Sequence, residues 1–154
     1  MSYTIIDIID NLIYIEKKGL SIYEEISKNC KDTKVSIVAK TIAKQEEKHT
    51  EYYRNLKKDI EVLQKEDIDF SIYDKISSRM QQFKLSMTIP VMNNIKDLVN
   101  FSMNFEKENL ALLVDIQGQL IRKETDTNML AYNVIGKIIK EEEGHIKILK
   151  PYYK

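Results

Sequence analysis

Four long segments of this chain carry apolar residues at helical spacing, and in each segment a glutamate interrupts the apolar stripe. Ile5, Ile9, Leu12, Leu20 and Tyr23 define the first stripe, with Glu16 inside it. Val35, Val38, Ile42, Tyr53 and Leu56 define the second, and Glu46 and His49 lie on its line. The third, after Pro90, carries Ile95, Val99, Leu110 and Leu113 around Glu106. The fourth, after "RKETDTN", carries Val134, Ile135, Ile138 and Leu149 around Glu142 and His145. Residues three and four apart share a helix face, so these six ionisable groups point where the apolar residues point. Four such helices can bury their stripes only against one another. An all-α fold follows, and with just four glycines and two prolines little in the chain interrupts long helices.

The segments pair into two helical hairpins, over about 3–57 and 94–149, within a single domain spanning 1–154. In the first hairpin the break falls at "KNCKDTK", where Asp32 or Thr33 suits the cap of the second helix. The stretch of about 59–93 is too long for a turn and is expected to cross over. Within it "EDIDFSIYDKISSRMQQFKLSM" has apolar residues enough for a short helix and a packed return along the bundle.

The two hairpins also resemble each other. "LIYIEKKGLSIYEEI" matches "FSMNFEKENLALLVDI", and "VAKTIAKQEEKHTEYY" matches "NVIGKIIKEEEGHIKIL". This internal repeat pairs Glu16 with Glu106, Glu46 with Glu142, and His49 with His145. Both histidines of the chain thus carry a glutamate three residues before them.

Burying an unpaired carboxylate costs several kcal/mol or more, so four in one core require a compensating cation. No lysine or arginine falls on the stripes close to them, and two histidines do not balance four carboxylates. Two divalent metals do. Carboxylate oxygen with imidazole nitrogen suits iron, manganese or zinc, and a Glu from each of two helices with Glu-x-x-His from each of the other two is the ligand pattern of di-metal helical bundles. A single Glu-x-x-His in so charged a chain is commonly a solvated helix face; its presence at both histidines, with Glu16 and Glu106 on the other stripes, favours the metal reading. Glu47, Glu141 and Glu143 fall on neighbouring faces and are expected to face solvent or flank the ligands. Tyr23, two turns after Glu16, is placed to hydrogen-bond a ligand carboxylate. Met80, Met87, Met92 and Met103 read as core fillers and Cys30 as structural.

Other partners are disfavoured. The 24 basic and 24 acidic residues leave no basic footprint for nucleic acid, and no run is long and apolar enough for a membrane span. The N-terminal stretch lacks a basic leader and a cleavage site, and one cysteine makes no internal disulfide, so a soluble, uncleaved, cytoplasmic protein is expected.

The motifs "IEKKGLSIYEEI", "KQEEKH", "FEKENLALL" and "KEEEGH" together resemble the di-iron domain of the rubrerythrins, within the ferritin-like superfamily, over nearly all of the chain outside the crossover. The resemblance implies a ferritin-like four-helix bundle holding two iron ions. Glu46 and Glu142 would bridge them, with Glu16, Glu106, His49 and His145 as terminal ligands. It implies reduction of hydrogen peroxide or dioxygen in oxidative-stress defence, and a homodimer. Two departures stand out: Asn109 occupies the position of a further family carboxylate, and no CxxC pairs mark a rubredoxin domain, so electrons would come from a separate rubredoxin-like donor. Iron or other divalent-metal storage without catalysis is the alternative reading.

Overall fold

The computed structural model describes residues 2–153, which form five α-helices and two short 3-10 turns. The helices are α1 (Ile5–Asn29), α2 (Thr33–Glu61), α3 (Phe70–Ser86), α4 (Ile95–Gln119) and α5 (Leu130–Leu149). Extended pairing among the described residues amounts to one isolated bridge, Tyr3 to Ile68.

Side-chain caps set where three of the helices begin. Thr4 and Asp7 form a capping box at α1, the Asp32 carboxylate accepts from the Lys34 and Val35 amides at α2, and the Asn94 side chain accepts from the Asp97 amide at α4. Of the two residues expected to cap α2, Asp32 does so. The helix runs on to Glu61, a turn beyond the expected end, because Ile60 is buried in the core.

Helix directions follow from which residues meet. Ser27 and Ser36 exchange hydrogen bonds beside the α1–α2 turn, while Lys57 reaches Asp10 at 2.7 Å near the other end, so these helices are antiparallel. A second antiparallel pair is α1 with α4: Asn109 meets Glu16, Phe105 covers Gly19, and Phe101 packs edge-on against Tyr23. It follows that α2 and α4 run parallel. A parallel pair cannot be joined by a tight turn, and the connection must travel back the length of the bundle.

Helix α3 makes that return. Its 17 residues span about 26 Å at 1.5 Å each. Ile76 and Met80 are its buried anchors. Along α4, Arg79 pairs with Asp115 at 3.0 Å and Phe83 packs against Phe105. On the α1 side, Lys18 donates to the Lys84 carbonyl at 2.8 Å and Tyr73 stacks on Tyr3.

The core is divided. A larger apolar cluster gathers Ile5 to Ile15 of α1, Tyr53 and Ile60 of α2, Leu112 to Leu120 of α4 and its C-cap, and Ala131 to Ile138 of α5. A smaller one gathers Ile22 to Ile26, Val35 to Ala43 and Leu98. On α1, α2 and α4 the sequence between the two clusters contains Glu16, Glu46 with His49, and Glu106. No described helix is long and apolar enough to cross a membrane.

If α3 is an integral layer, Met80→Ala opens a cavity and lowers unfolding free energy by about 2–4 kcal/mol. Urea denaturation measures this, and a loss below about 0.5 kcal/mol would mean that the crossover is only loosely attached.

Candidate metal centre

Each predicted ligand is carried on a helix whose apolar neighbours fix its direction. Glu16 follows Leu12 by four residues and Ile15 by one, and with Gly19 and Tyr23 it faces the interior of the bundle. Glu46 and His49 sit between Ala43 and Tyr53, Glu106 between Met103 and Asn109, and Glu142 one turn after Ile138. The helical period thus places five of the six predicted groups inside, at 0–2% exposure. His145 differs from the expectation: it is half-buried, in the last turns of α5, where Lys147 and Ile148 are exposed.

The six groups assemble into two sets of three, with one potential ligand atom from each residue lying within 4.8 Å of the others. One set is Glu16, His49 and Glu142; the other is Glu46, Glu106 and His145. Applying the sequence repeat to the first set yields the second. Each set takes a carboxylate across the hairpin boundary: Glu142 of α5 joins α1 and α2, and Glu46 of α2 joins α4 and α5. A single pseudo-twofold relation therefore generates the whole centre.

The polar accounting is incomplete without a cation. Glu46 Oε2, Glu106 Oε2, both Glu142 oxygens and His49 Nε2 are buried with no hydrogen-bond partner. Such groups ordinarily find partners, and leaving them bare costs about 1–3 kcal/mol each or more for a charge. His49 Nδ1 lies 3.3 Å from Glu16 Oε2 and 3.2 Å from Glu142 Oε1, and only the Glu16 approach is a hydrogen bond. No lysine or arginine is buried among the described residues. Oxygen and imidazole donors in this number fit two divalent metals of the iron, manganese or zinc type.

Protons occupy part of the charge balance instead. Burial and then the charges of Glu16 and Glu106 hold the Glu46 carboxyl well above its usual range. Burial, followed by contact with Glu106, pushes Glu142 up to about 12. For Glu16 burial also acts upward, but the His49 hydrogen bond, with help from Glu46, the His49 charge and Asn109, leaves it lowered. Burial disfavours protonated His49, yet Glu16 outweighs it and the imidazole is raised. His145 is lowered, by burial and then by His49.

Three neighbours complete the picture. Asn109 is buried and donates from Nδ2 to Glu16 Oε1 at 3.0 Å. Its repeat counterpart is Gly19, where an added Cβ would meet the Phe105 ring at 3.0 Å. Glu16 is therefore anchored by an amide and Glu106 is not. The hydrogen bond expected from Tyr23 to a carboxylate is not made; the ring is held edge-on to Phe101 and Phe105, and its hydroxyl is buried without a partner. Nothing in the sequence pattern singled out Ser102, whose buried hydroxyl lies close enough to the Tyr23 phenol to act against the upward push of burial, though outside ordinary hydrogen-bond geometry. It lies one turn before Glu106. Met80 and Met103 are buried core residues, and Met87 and Met92 are partly buried. Glu47 and Glu143 are exposed as expected, and half-buried Glu141 lies beside both histidines.

Comparison with known protein families, curated proteins and solved structures returns no match. The centre is thus defined by its own geometry.

The proton arrangement predicts a pH dependence for metal-free protein. Glu46 and Glu142 have folded pKa values above the reference 4.5, so the stability that accompanies their protons is complete below about pH 4.5 and is lost as pH rises toward the folded values. Raised His49 has the same sign above its reference 6.5; lowered His145 acts only below 6.5, and Glu16 is ionised in both states between pH 7 and 9. Between pH 7 and 9, stability should fall by about 1.4 kcal/mol per pH unit for each proton retained on folding. Thermal melts in chelator read this directly, and a flat or rising profile would contradict buried protonated carboxylates.

Proposed function

We propose that the protein is a ferritin-like di-metal carboxylate protein that uses a di-iron centre to reduce hydrogen peroxide or dioxygen. The observation that carries the reading is the pair of Glu-Glu-His sets related by the internal repeat, with buried carboxylate oxygens that lack partners. Antiparallel α1–α4 and the α3 return along the bundle favour a ferritin-like topology over a simple up-down bundle. The resemblance in "KQEEKH" and "KEEEGH" supplies the class of chemistry.

Glu16, Glu46, His49, Glu106, Glu142 and His145 would hold the metals, with Glu46 and Glu142 shared because each crosses to the other hairpin. When bound, a ferrous pair supplies two electrons together, and with two protons this reduces hydrogen peroxide to two waters without releasing a one-electron radical. The chain contributes the environment. Asn109 Nδ2 fixes the Glu16 carboxylate, the two apolar clusters exclude water on either side, and burial first of all keeps the Tyr23 phenol protonated.

Anaerobic reconstitution with ferrous ion tests the centre. Two irons per chain are expected, with loss of both in a Glu46→Ala plus Glu142→Ala double variant; zero or variant-independent binding would sink it. Mixing the diferrous protein with peroxide then tests the chemistry, where oxidation no faster than that of free ferrous ion would exclude the enzyme.

The Asn109 hydrogen bond favours a second reading, a protein that holds or buffers iron without turnover. A carboxamide in place of the family's carboxylate offers no alternative anionic ligand and ties Glu16 in one position. Oxidation that stops after one equivalent despite added reductant would select this reading. Sustained cycling would select the peroxidase.

A further inference from the structure

The six-ligand centre is not uniformly enclosed. Glu16, Glu46, His49, Glu106 and Glu142 are at most 2% exposed, whereas His145 is half-buried at the rim between α2 and α5. Beside it lies Glu141, also half-buried, one residue before Glu142 and therefore turned about 100° from it around α5. Glu141, His145 and His49 form a third set whose ligand atoms lie within 4.8 Å of one another. The two imidazoles stack with centroids 4.3 Å apart.

His49 links this outer set to the interior. Its Nδ1 lies between Glu16 and Glu142, and its Nε2 is buried with no partner, the nitrogen left for an outer ligand. On the α1–α4 side, by contrast, Tyr23 is packed against Phe101 and Phe105, which offer no metal ligand.

We propose that Glu141, His145 and His49 are a loading set that takes up divalent cations at the rim and hands them to the di-metal centre; this rests on the di-metal reading above. A hydrated cation must exchange water for protein ligands before it can move into a desolvated layer. Two imidazoles and one carboxylate suit first-row divalent metals. The inner sets reuse the same histidines: His49 belongs to one and His145 to the other. A cation held at the rim keeps one imidazole as it moves inward, giving up Glu141 and the other imidazole for the carboxylates of Glu16 and Glu142 or of Glu46 and Glu106. Glu141 is a transient ligand, absent from the final six.

The test is stopped-flow uptake of cobalt(II) by the metal-free full chain, comparing wild type with Glu141→Gln, Glu141→Asp and Glu143→Gln. Glu143 is exposed on the same helix and controls for loss of one surface charge. All four proteins should bind two cobalt ions at saturation and melt alike without metal. Glu141→Gln should load about tenfold more slowly, Glu141→Asp should recover much of the rate, and Glu143→Gln should match wild type. Wild-type uptake by Glu141→Gln overturns the proposal, as does equal slowing by Glu143→Gln, which assigns the effect to general surface charge. Loss of a cobalt ion from Glu141→Gln at saturation overturns it too, by making Glu141 a resident ligand. No cobalt bound by wild type would remove the di-metal reading and this proposal with it, an outcome distinct from normal stoichiometry at an unaltered rate.

Discussion

Four carboxylates and one imidazole share the interior of one bundle, with a second imidazole half-buried beside them, and the rest of the structure has to accommodate that concentration of charge. A core this polar is unstable as a set of bare ions, so the charges must be neutralised by protons, by one another, or by metal. The metal-free chain uses the first two. Burial first of all raises the Glu46 and Glu142 carboxyls, favouring their protonated forms, and Glu16 pairs with His49. Protons on Glu46 and Glu142 would be shared with the neighbouring Glu16 and Glu106 carboxylates, while His49 Nε2 is left without a partner.

Around the charged groups the helices make up the loss. Apolar clusters on either side bury the large aliphatic side chains of α1, α2 and α4, and α3 seals the α1–α4 face with Ile76 and Met80. Without the return helix, the parallel relation of α2 and α4 would have no connection, and one flank of the bundle would lie open. The long crossover is thus part of what keeps the centre dry.

The repeat explains the symmetry of the centre, and departures from the repeat explain its asymmetry. Asn109 and Gly19 occupy equivalent positions, yet one donates to a carboxylate and the other makes room for an aromatic ring. His49 is enclosed while its counterpart His145 reaches the rim. Two positions built from the same motif consequently differ in anchoring and in access, a difference suited to ordered loading.

Sequence alone determined the helical class and the inward direction of five of the six groups, His145 excepted, because helical periodicity converts spacing into direction. It offered Asp32 or Thr33 as a cap and a packed helical return within about 59–93 for the same local reasons, and the structure selects Asp32 and a helix over Phe70–Ser86. Tertiary structure decided how the six divide: Glu142 sits with Glu16 and His49, and Glu46 with Glu106 and His145, a grouping that depends on contacts between hairpins far apart in the chain. It also decided that Tyr23 packs without bonding a carboxylate, that the Ser102 hydroxyl is buried near the Tyr23 phenol, and that Glu141 lies with the histidines. Periodicity gives the face of a helix. How far along its neighbour that face lands, and which atoms meet there, is set by packing between helices, which no local pattern encodes.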